Sequence, residues 1–130
     1  MIDERAFECE ASSVAEARRF VTESLSGYDP EIAELAALLV SELATNCVRY
    51  ATGDFDICVE HNGHGIRIEV SDEGQRRPEM RSPEPSDLRG RGLRIVDELS
   101  AAWGVTEHPE NAGKTVWFTL EAAPLRPTRG

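Results

Sequence analysis

A carboxylate and an amide stand four residues apart in a helical segment that is otherwise apolar. Glu42 and Asn46 are one turn apart, so they share a face of the predicted helix. Leu38 and Leu39 continue that side, which predicts that the face is at least partly buried. Because a buried carboxylate and a buried amide need hydrogen-bonding partners, the pair could hold a ligand. Taken alone, such a pair is more often two ordinary polar groups on a helix surface.

A second carboxylate stands at the end of a predicted strand. Asp72 begins an Asp-Glu-Gly sequence that ends at Gly74. Because alternate residues of a strand lie on the same face, Asp72 is predicted to share a face with three apolar residues of the strand. These residues are Ile66, Ile68 and Val70. A carboxylate on the apolar side is costly unless it accepts a hydrogen bond, for example from an exocyclic amino group such as that of adenine. The alternative is a simple turn, since Asp-x-Gly commonly ends a strand.

A glycine-flanked arginine precedes the third predicted helix. Gly90, Arg91 and Gly92 come just before Leu93, where the apolar helical spacing begins. Free N–H groups at a helix start favour anions, and glycine lets a phosphate come close. Residues 76–94 contain six arginines and three acidic residues, a net charge of +3 in a chain of net charge −10. This local charge suits a small anion or an acidic partner, or it is a solvated arginine-rich loop.

Length and composition are those of one ordinary globular domain. The chain has 130 residues, of which 40% are hydrophobic and 29% charged, and it contains no apolar run long enough for a membrane span. The negative net charge disfavours binding to nucleic acid or anionic lipid. Three widely spaced cysteines and a polar N-terminal segment predict a reducing, cytoplasmic location. The cysteines are Cys9, Cys47 and Cys58.

Hydrophobic spacing predicts a strand, two helices, a hairpin, a loop, a third helix and two final strands. The first helix is predicted to begin at a capping box from Ser13 to Glu16 and to end at Gly27. The second is predicted from residue 31 to about residue 51, with Asp29 as its N-cap followed by proline. This order is typical of an α+β fold in which helices pack on one face of a mostly antiparallel sheet.

The sequence Asn62-Gly63 predicts a two-residue type I′ turn between the hairpin strands. A turn there pairs residues whose numbers sum to 125. Three apolar pairs then fall on one face, as a half-buried antiparallel hairpin requires. These pairs are Val59 with Ile66, Ile57 with Ile68, and Phe55 with Val70.

Two short motifs do not fit their surroundings. The Gly-Lys-Thr sequence at 113–115 matches the end of a P-loop, but His108 stands where that loop needs glycine, and a strand follows. The Cys-x-x-His-x-x-His sequence at 58–64 has the spacing of metal ligands. Its histidines flank the predicted turn, where an exposed cross-strand pair is the simpler interpretation.

Four segments, in this order, resemble the ATPase superfamily of gyrase B, Hsp90, histidine kinases and MutL. They are Glu42–Ala51 (the N-box), Asp72–Gly74 (the first glycine box), Gly90–Val96 (the second glycine box) and Gly113–Thr115 (the closing Gly-x-Thr element). The resemblance implies the histidine-kinase-like ATPase fold, a two-layer α+β sandwich with about three helices on one face of a mostly antiparallel or mixed sheet. It also implies a single ATP-binding domain at 1–121, a lid at about 75–89 and a flexible tail at 122–130.

The same resemblance implies a site for ATP and Mg²⁺. Glu42 would act as general base on a serine or threonine hydroxyl or on water, and Asn46 would coordinate Mg²⁺. Asp72 would accept a hydrogen bond from the adenine amino group, with Gly74 leaving room for the base and Thr115 supporting the contact. The residues implied at the phosphates are Arg49, Gly90, Arg91, Gly92 and Leu93.

Among these proteins the chain is most similar to the anti-sigma factor serine kinases. That similarity implies a serine/threonine protein kinase that phosphorylates an anti-sigma factor antagonist and holds a sigma factor inactive. A homodimer is implied as well, and contact with DNA or a membrane is not. The first glycine box lacks its usual second glycine, since Gln75 and Arg76 follow Gly74. This departure supports an alternative, an ATP-binding interaction module with little or no phosphotransfer.

Overall fold

The computed structural model describes residues 1–50, 53–72, 92–108 and 113–125. Its helices and strands follow the order predicted from the sequence. They are β1 (Ile2–Phe7), α1 (Ser12–Ser24), α2 (Pro30–Tyr50), β2 (Phe55–His61), β3 (Gly65–Asp72), α3 (Gly92–Leu99), β4 (Ala102–His108) and β5 (Gly113–Glu121). The predicted lid at 75–89 lies outside the described residues, and the predicted tail is described only as far as residue 125.

The strands form one five-stranded antiparallel sheet in the order β1-β2-β3-β5-β4. β5 follows β4 in the chain but lies between β3 and β4 in the sheet. The helices pack with the apolar side of this sheet in one hydrophobic core. The predicted α+β sandwich is thus confirmed. The sheet face opposite the helices is called the outer face below.

Alternation within the strands supplies the sheet half of the core. In β3 every second residue is buried, from Ile66 to Asp72, and β5 shows the same alternation from Val116 to Leu120. Phe118 and Leu39 are among the largest fully buried side chains, and each such burial contributes roughly 1.5–3 kcal/mol. This packing holds α2 over β3, and Asp72 is the polar member of a buried row.

The two long helices begin differently. The Asp29 carboxylate accepts a hydrogen bond from the Glu31 N–H at 2.8 Å, so the predicted cap of α2 is confirmed. The predicted capping box of α1 is wrong, because no side chain among the described residues caps this helix. N–H groups at its start donate to backbone carbonyls instead, as the Ser13 N–H does to the Glu10 carbonyl at 2.9 Å. This helix also ends before Gly27. Within the described ranges, none of the helices is long and apolar enough to cross a membrane.

The predicted hairpin is present, but its predicted register is wrong, because each residue of β2 pairs with a residue two positions later in β3 than predicted. Ile57 pairs with Val70 and Val59 with Ile68, so the turn is centred one residue later than predicted. The reason is the Asn62 side chain, whose Oδ1 atom accepts hydrogen bonds from the N–H groups of His64 (3.0 Å) and Gly65 (3.1 Å). Gly63 becomes the first central residue with φ +93°, which is the glycine position of a type II′ turn. Since the shift is even, the predicted buried face is retained.

Candidate functional site

Three elements meet around a small cavity between α2 and the sheet. Its volume is about 40 Å³. Leu43, Asn46 and Cys47 of α2 line one side, and Val70, Asp72, Lys114 and Val116 of β3 and β5 line the other. Most of this lining is apolar, and the polar groups come from three segments that are distant in the chain. The cavity therefore exists only in the folded sheet.

The polar floor of the cavity is an ion pair between neighbouring strands. Asp72 and Lys114 are direct cross-strand partners, and Lys114 Nζ lies 3.0 Å from Asp72 Oδ2. The Asp72 side chain is 5% exposed, whereas that of Lys114 is 42% exposed. Burying a lone carboxylate would be costly, so the ammonium group makes the position of Asp72 tolerable.

The α2 side of the cavity carries the predicted carboxylate and amide. Asn46 lines the cavity and is half-buried. Glu42, also half-buried, lies one helical turn away, about 6 Å along the axis. Arg49 is exposed near the C-terminal end of α2. The structure thus places Asn46 and Asp72 in the lining of the same cavity and Glu42 one helical turn from Asn46.

Cys47 forms a neutral part of the cavity wall. Burial, and secondarily the negative charge of Asp72, raises the pKa of its thiol to about 12. The thiol is therefore protonated at neutral pH and behaves as a small, nearly apolar group.

Thr115 does not lie at the cavity. Its hydroxyl is on the outer face, where it lies 2.7 Å from Ser71 Oγ and 2.8 Å from His108 Nε2. Lys114 is the residue of this motif that lines the cavity, and it is not among the residues predicted from the sequence. The sequence does contain a signal for the inward position of Lys114, because it alternates in step with three buried apolar residues of β5 and so shares their face. They are Val116, Phe118 and Leu120.

The family model for the histidine kinase-like ATPase domain matches residues 7–120. The chain belongs to this family. The matched segment contains every residue that lines the cavity. A search of curated proteins gave no match to the chain.

A histidine kinase-like ATPase domain binds ATP, and the groups that line the cavity are of the kinds that contact a nucleotide base. Leu43, Val70 and Val116 provide apolar surface, and the buried Asp72 carboxylate provides a hydrogen-bond acceptor for an amino group. An adenine ring combines an apolar face with an exocyclic amino group. The lining of the cavity thus has two kinds of group, apolar surface and a hydrogen-bond acceptor.

The remaining predicted site residues are Gly74, Gly90, Arg91, Gly92 and Leu93. Gly74, Gly90 and Arg91 lie outside the described residues. Gly92 and Leu93 are the first two residues of α3, so the predicted helix start is present at that point. α3 packs against α2, the helix that carries Glu42 and Asn46.

Proposed function

We propose that this histidine kinase-like ATPase domain is a Mg-ATP-dependent serine/threonine protein kinase and an anti-sigma factor. Its substrate is an anti-sigma factor antagonist, and its second partner is a sigma factor that it keeps inactive. The proposal includes a cytoplasmic homodimer that contacts neither DNA nor a membrane. The observation that carries it is one cavity lined by both the buried Asp72 carboxylate and Asn46, with Glu42 one helical turn from Asn46.

Each of these side chains has a chemical task. Asp72 orients the nucleotide by accepting a hydrogen bond from the base amino group. The Asn46 side-chain oxygen is a suitable ligand for Mg²⁺, a hard cation that keeps several waters and binds phosphate oxygens. Bound Mg²⁺ would offset the negative charge of the phosphates during transfer. Glu42 accepts the proton of the attacking serine or threonine hydroxyl, a contribution of about 10²–10⁴ in rate.

One structural observation favours a second candidate, an ATP-binding module without appreciable phosphotransfer. Lys114 already donates to Asp72 Oδ2, so part of the acceptor capacity at the cavity floor is used within the chain. The residues after Gly74 also depart from the first glycine box. In this alternative, bound ATP changes which partner the domain contacts, and Glu42 has no catalytic task.

The ATP site is tested by thermal unfolding with and without Mg-ATP. At 100 times the dissociation constant, ligand binding adds about 2.7 kcal/mol, which corresponds to roughly 10 °C for a domain of this size. We expect the shift in the unaltered chain and a much smaller one in Asp72→Asn and Asn46→Ala. Asp56→Asn is the matched control, since it alters an exposed carboxylate on the outer face, and this variant should keep the full shift. No shift at millimolar Mg-ATP would overturn the proposal.

The kinase and the module are separated by Glu42→Ala. Phosphate transfer from labelled ATP to antagonist proteins of the same genome should fall at least about 100-fold, while ATP affinity stays within about twofold. Glu34→Ala, an exposed carboxylate on the same helix, should leave transfer unchanged. Equal transfer by Glu42→Ala and the unaltered chain would remove Glu42 from the mechanism, and absence of transfer in all of them would favour the module.

A further inference from the structure

The cavity floor presents a hydrogen-bond donor directly beside an acceptor. Lys114 and Asp72 are held together by the cross-strand pairing of their backbones and by a 3.0 Å contact between their charged groups, and both line the cavity. Their spacing is therefore set by the central strands of the sheet rather than by a loop. A ligand that enters the cavity meets both groups.

Neither group is saturated by the contact between them. An ammonium group has three N–H donors and a carboxylate has about four acceptor positions, and the contact uses one of each. The Lys114 side chain is 42% exposed and the Asp72 side chain 5% exposed, so the ammonium lies on the more open side of the pair. The pair can thus offer one acceptor and one donor to the same ligand edge.

Adenine carries the complementary pair of groups on one edge. Its exocyclic amino group donates, and the adjacent ring nitrogen N1 accepts. An isolated carboxylate can read only the amino group, whereas a carboxylate with an adjacent ammonium can read both. The chain contains a single lysine, and it stands at this position.

We propose that Lys114 is a base-reading residue that donates a hydrogen bond to N1 of adenine while Asp72 accepts one from the amino group. This inference rests on the proposed ATP site and adds a second specificity determinant to it. Lys114 then has two tasks, since it also offsets the charge of a buried carboxylate. A purely structural lysine would have only the second task.

The two roles are separated by an ATP analogue that lacks the acceptor. In 1-deaza-ATP, a C–H group replaces N1 and the amino group is retained. Isothermal titration calorimetry should show that the unaltered chain binds Mg-ATP roughly tenfold more tightly than the magnesium complex of the analogue, the size expected for one hydrogen bond to a charged donor. Lys114→Met should bind both nucleotides equally, at the level of the analogue or below.

The ratio of the two affinities is the decisive quantity. Loss of the ammonium also leaves Asp72 unpaired, and that change weakens both nucleotides alike without altering their ratio. A ratio near one in the unaltered chain overturns the inference, and so does a ratio that stays near ten in Lys114→Met. Tighter ATP binding by Lys114→Met would also overturn it, because Lys114 would then be obstructing the base. Absence of any Mg-ATP binding to the unaltered chain would overturn the proposed function itself and the inference with it.

A spectroscopic measurement tests the contact without a substitution, so it stands even if Lys114→Met does not fold. Because the chain has one lysine, selective ¹³C or ¹⁵N labelling of lysine gives a single side-chain NMR signal. Mg-ATP should move this signal clearly more than saturating 1-deaza-ATP does. Equal displacement by the two nucleotides would contradict a hydrogen bond to N1.

Discussion

The hydroxyl oxygens of Ser71 and Thr115 lie 2.7 Å apart on the outer face, directly behind the pair of Asp72 and Lys114. The two pairs occupy consecutive positions of the same strands, so their side chains alternate between the two faces. His108 completes the outer group through Nε2, at 2.8 Å from the Thr115 hydroxyl. The outer pair therefore braces the strands whose inner pair lines the cavity.

The first prediction concerns Thr115→Val. Valine keeps the shape and strand preference of threonine but removes a buried hydroxyl, which should cost about 1–2 kcal/mol of unfolding free energy. ATP affinity should stay within about twofold, because the side chain is on the outer face. Chemical denaturation and calorimetry check the two quantities. A tenfold loss of affinity without loss of stability would place Thr115 at the nucleotide instead.

The second prediction concerns Gly104→Ala. A Cβ atom at Gly104 would lie 2.7 Å from Cζ2 of Trp117, whose ring is also covered by Arg67 at 4.4 Å from Cζ to the ring centroid. The indole cannot move freely, so the substitution should lower the unfolding free energy by about 1–3 kcal/mol. Gly27→Ala is the control, since its added Cβ meets nothing within 4 Å. Equal denaturation midpoints for the two variants would contradict this account.

The third prediction concerns the reactivity of Cys47. A thiol pKa near 12 lowers its thiolate population, and with it the alkylation rate, about a thousandfold below that of an ordinary cysteine. Mg-ATP should slow the alkylation of Cys47 further by covering the cavity. Cys58 is the internal control, because it belongs to the outer face and its rate should not respond to nucleotide. Peptide mass spectrometry after timed alkylation measures both rates.

The fourth prediction concerns Asp56 and pH. Asp56 lies with Glu4 and Glu69 in an outer-face trough of about 380 Å³. Partial desolvation in this trough, and then the charges of Glu4 and Asp54, raise the pKa of the Asp56 carboxyl above its usual 3.8. The folded state therefore holds this proton more strongly than the unfolded state does, and the contribution of Asp56 to stability falls as pH rises from 3.8 through the raised pKa.

It follows that Asp56→Asn should raise the melting temperature at pH 7, and that the gain should shrink as the pH approaches 3.8. Glu4→Gln should raise it as well, since Glu4 is the main charge acting on Asp56. Melting curves between pH 3 and pH 8 provide the measurement. A gain that is the same at every pH would show that charge is not its cause.

The buried face of each strand could be predicted because side chains alternate with a period of two. That rule placed Asp72 among Ile66, Ile68 and Val70, and the structure buries it there. The pairing register depends instead on the turn. Asn62 stands before the turn because its side-chain oxygen accepts hydrogen bonds from the N–H groups of His64 and Gly65. The sequence Asn-Gly alone does not distinguish a turn centred on Asn62 and Gly63 from one centred a residue later.

The polar floor of the site was predicted in part for a similar reason. The alternation in β3 predicts the inward position of Asp72, whereas the Gly-x-Thr motif points to Thr115, which lies on the outer face, and not to Lys114. Which of two adjacent residues faces the cavity follows from the strand pattern of Val116, Phe118 and Leu120, not from the motif letters. The contact between Lys114 and Asp72 needs the pairing of β3 with β5, which no local signal in the sequence specifies.

The position of β5 has a consequence for protein synthesis. A ribosome releases the chain from its first residue onward, so β3 and β4 emerge before the strand that separates them in the sheet. Until Glu121 has left the exit tunnel, β3 presents an open edge and Asp72 has no ammonium beside it. Nucleotide therefore cannot assist folding of the nascent domain at an early stage. The cavity and its ion pair therefore form only when β5 is inserted between β3 and β4.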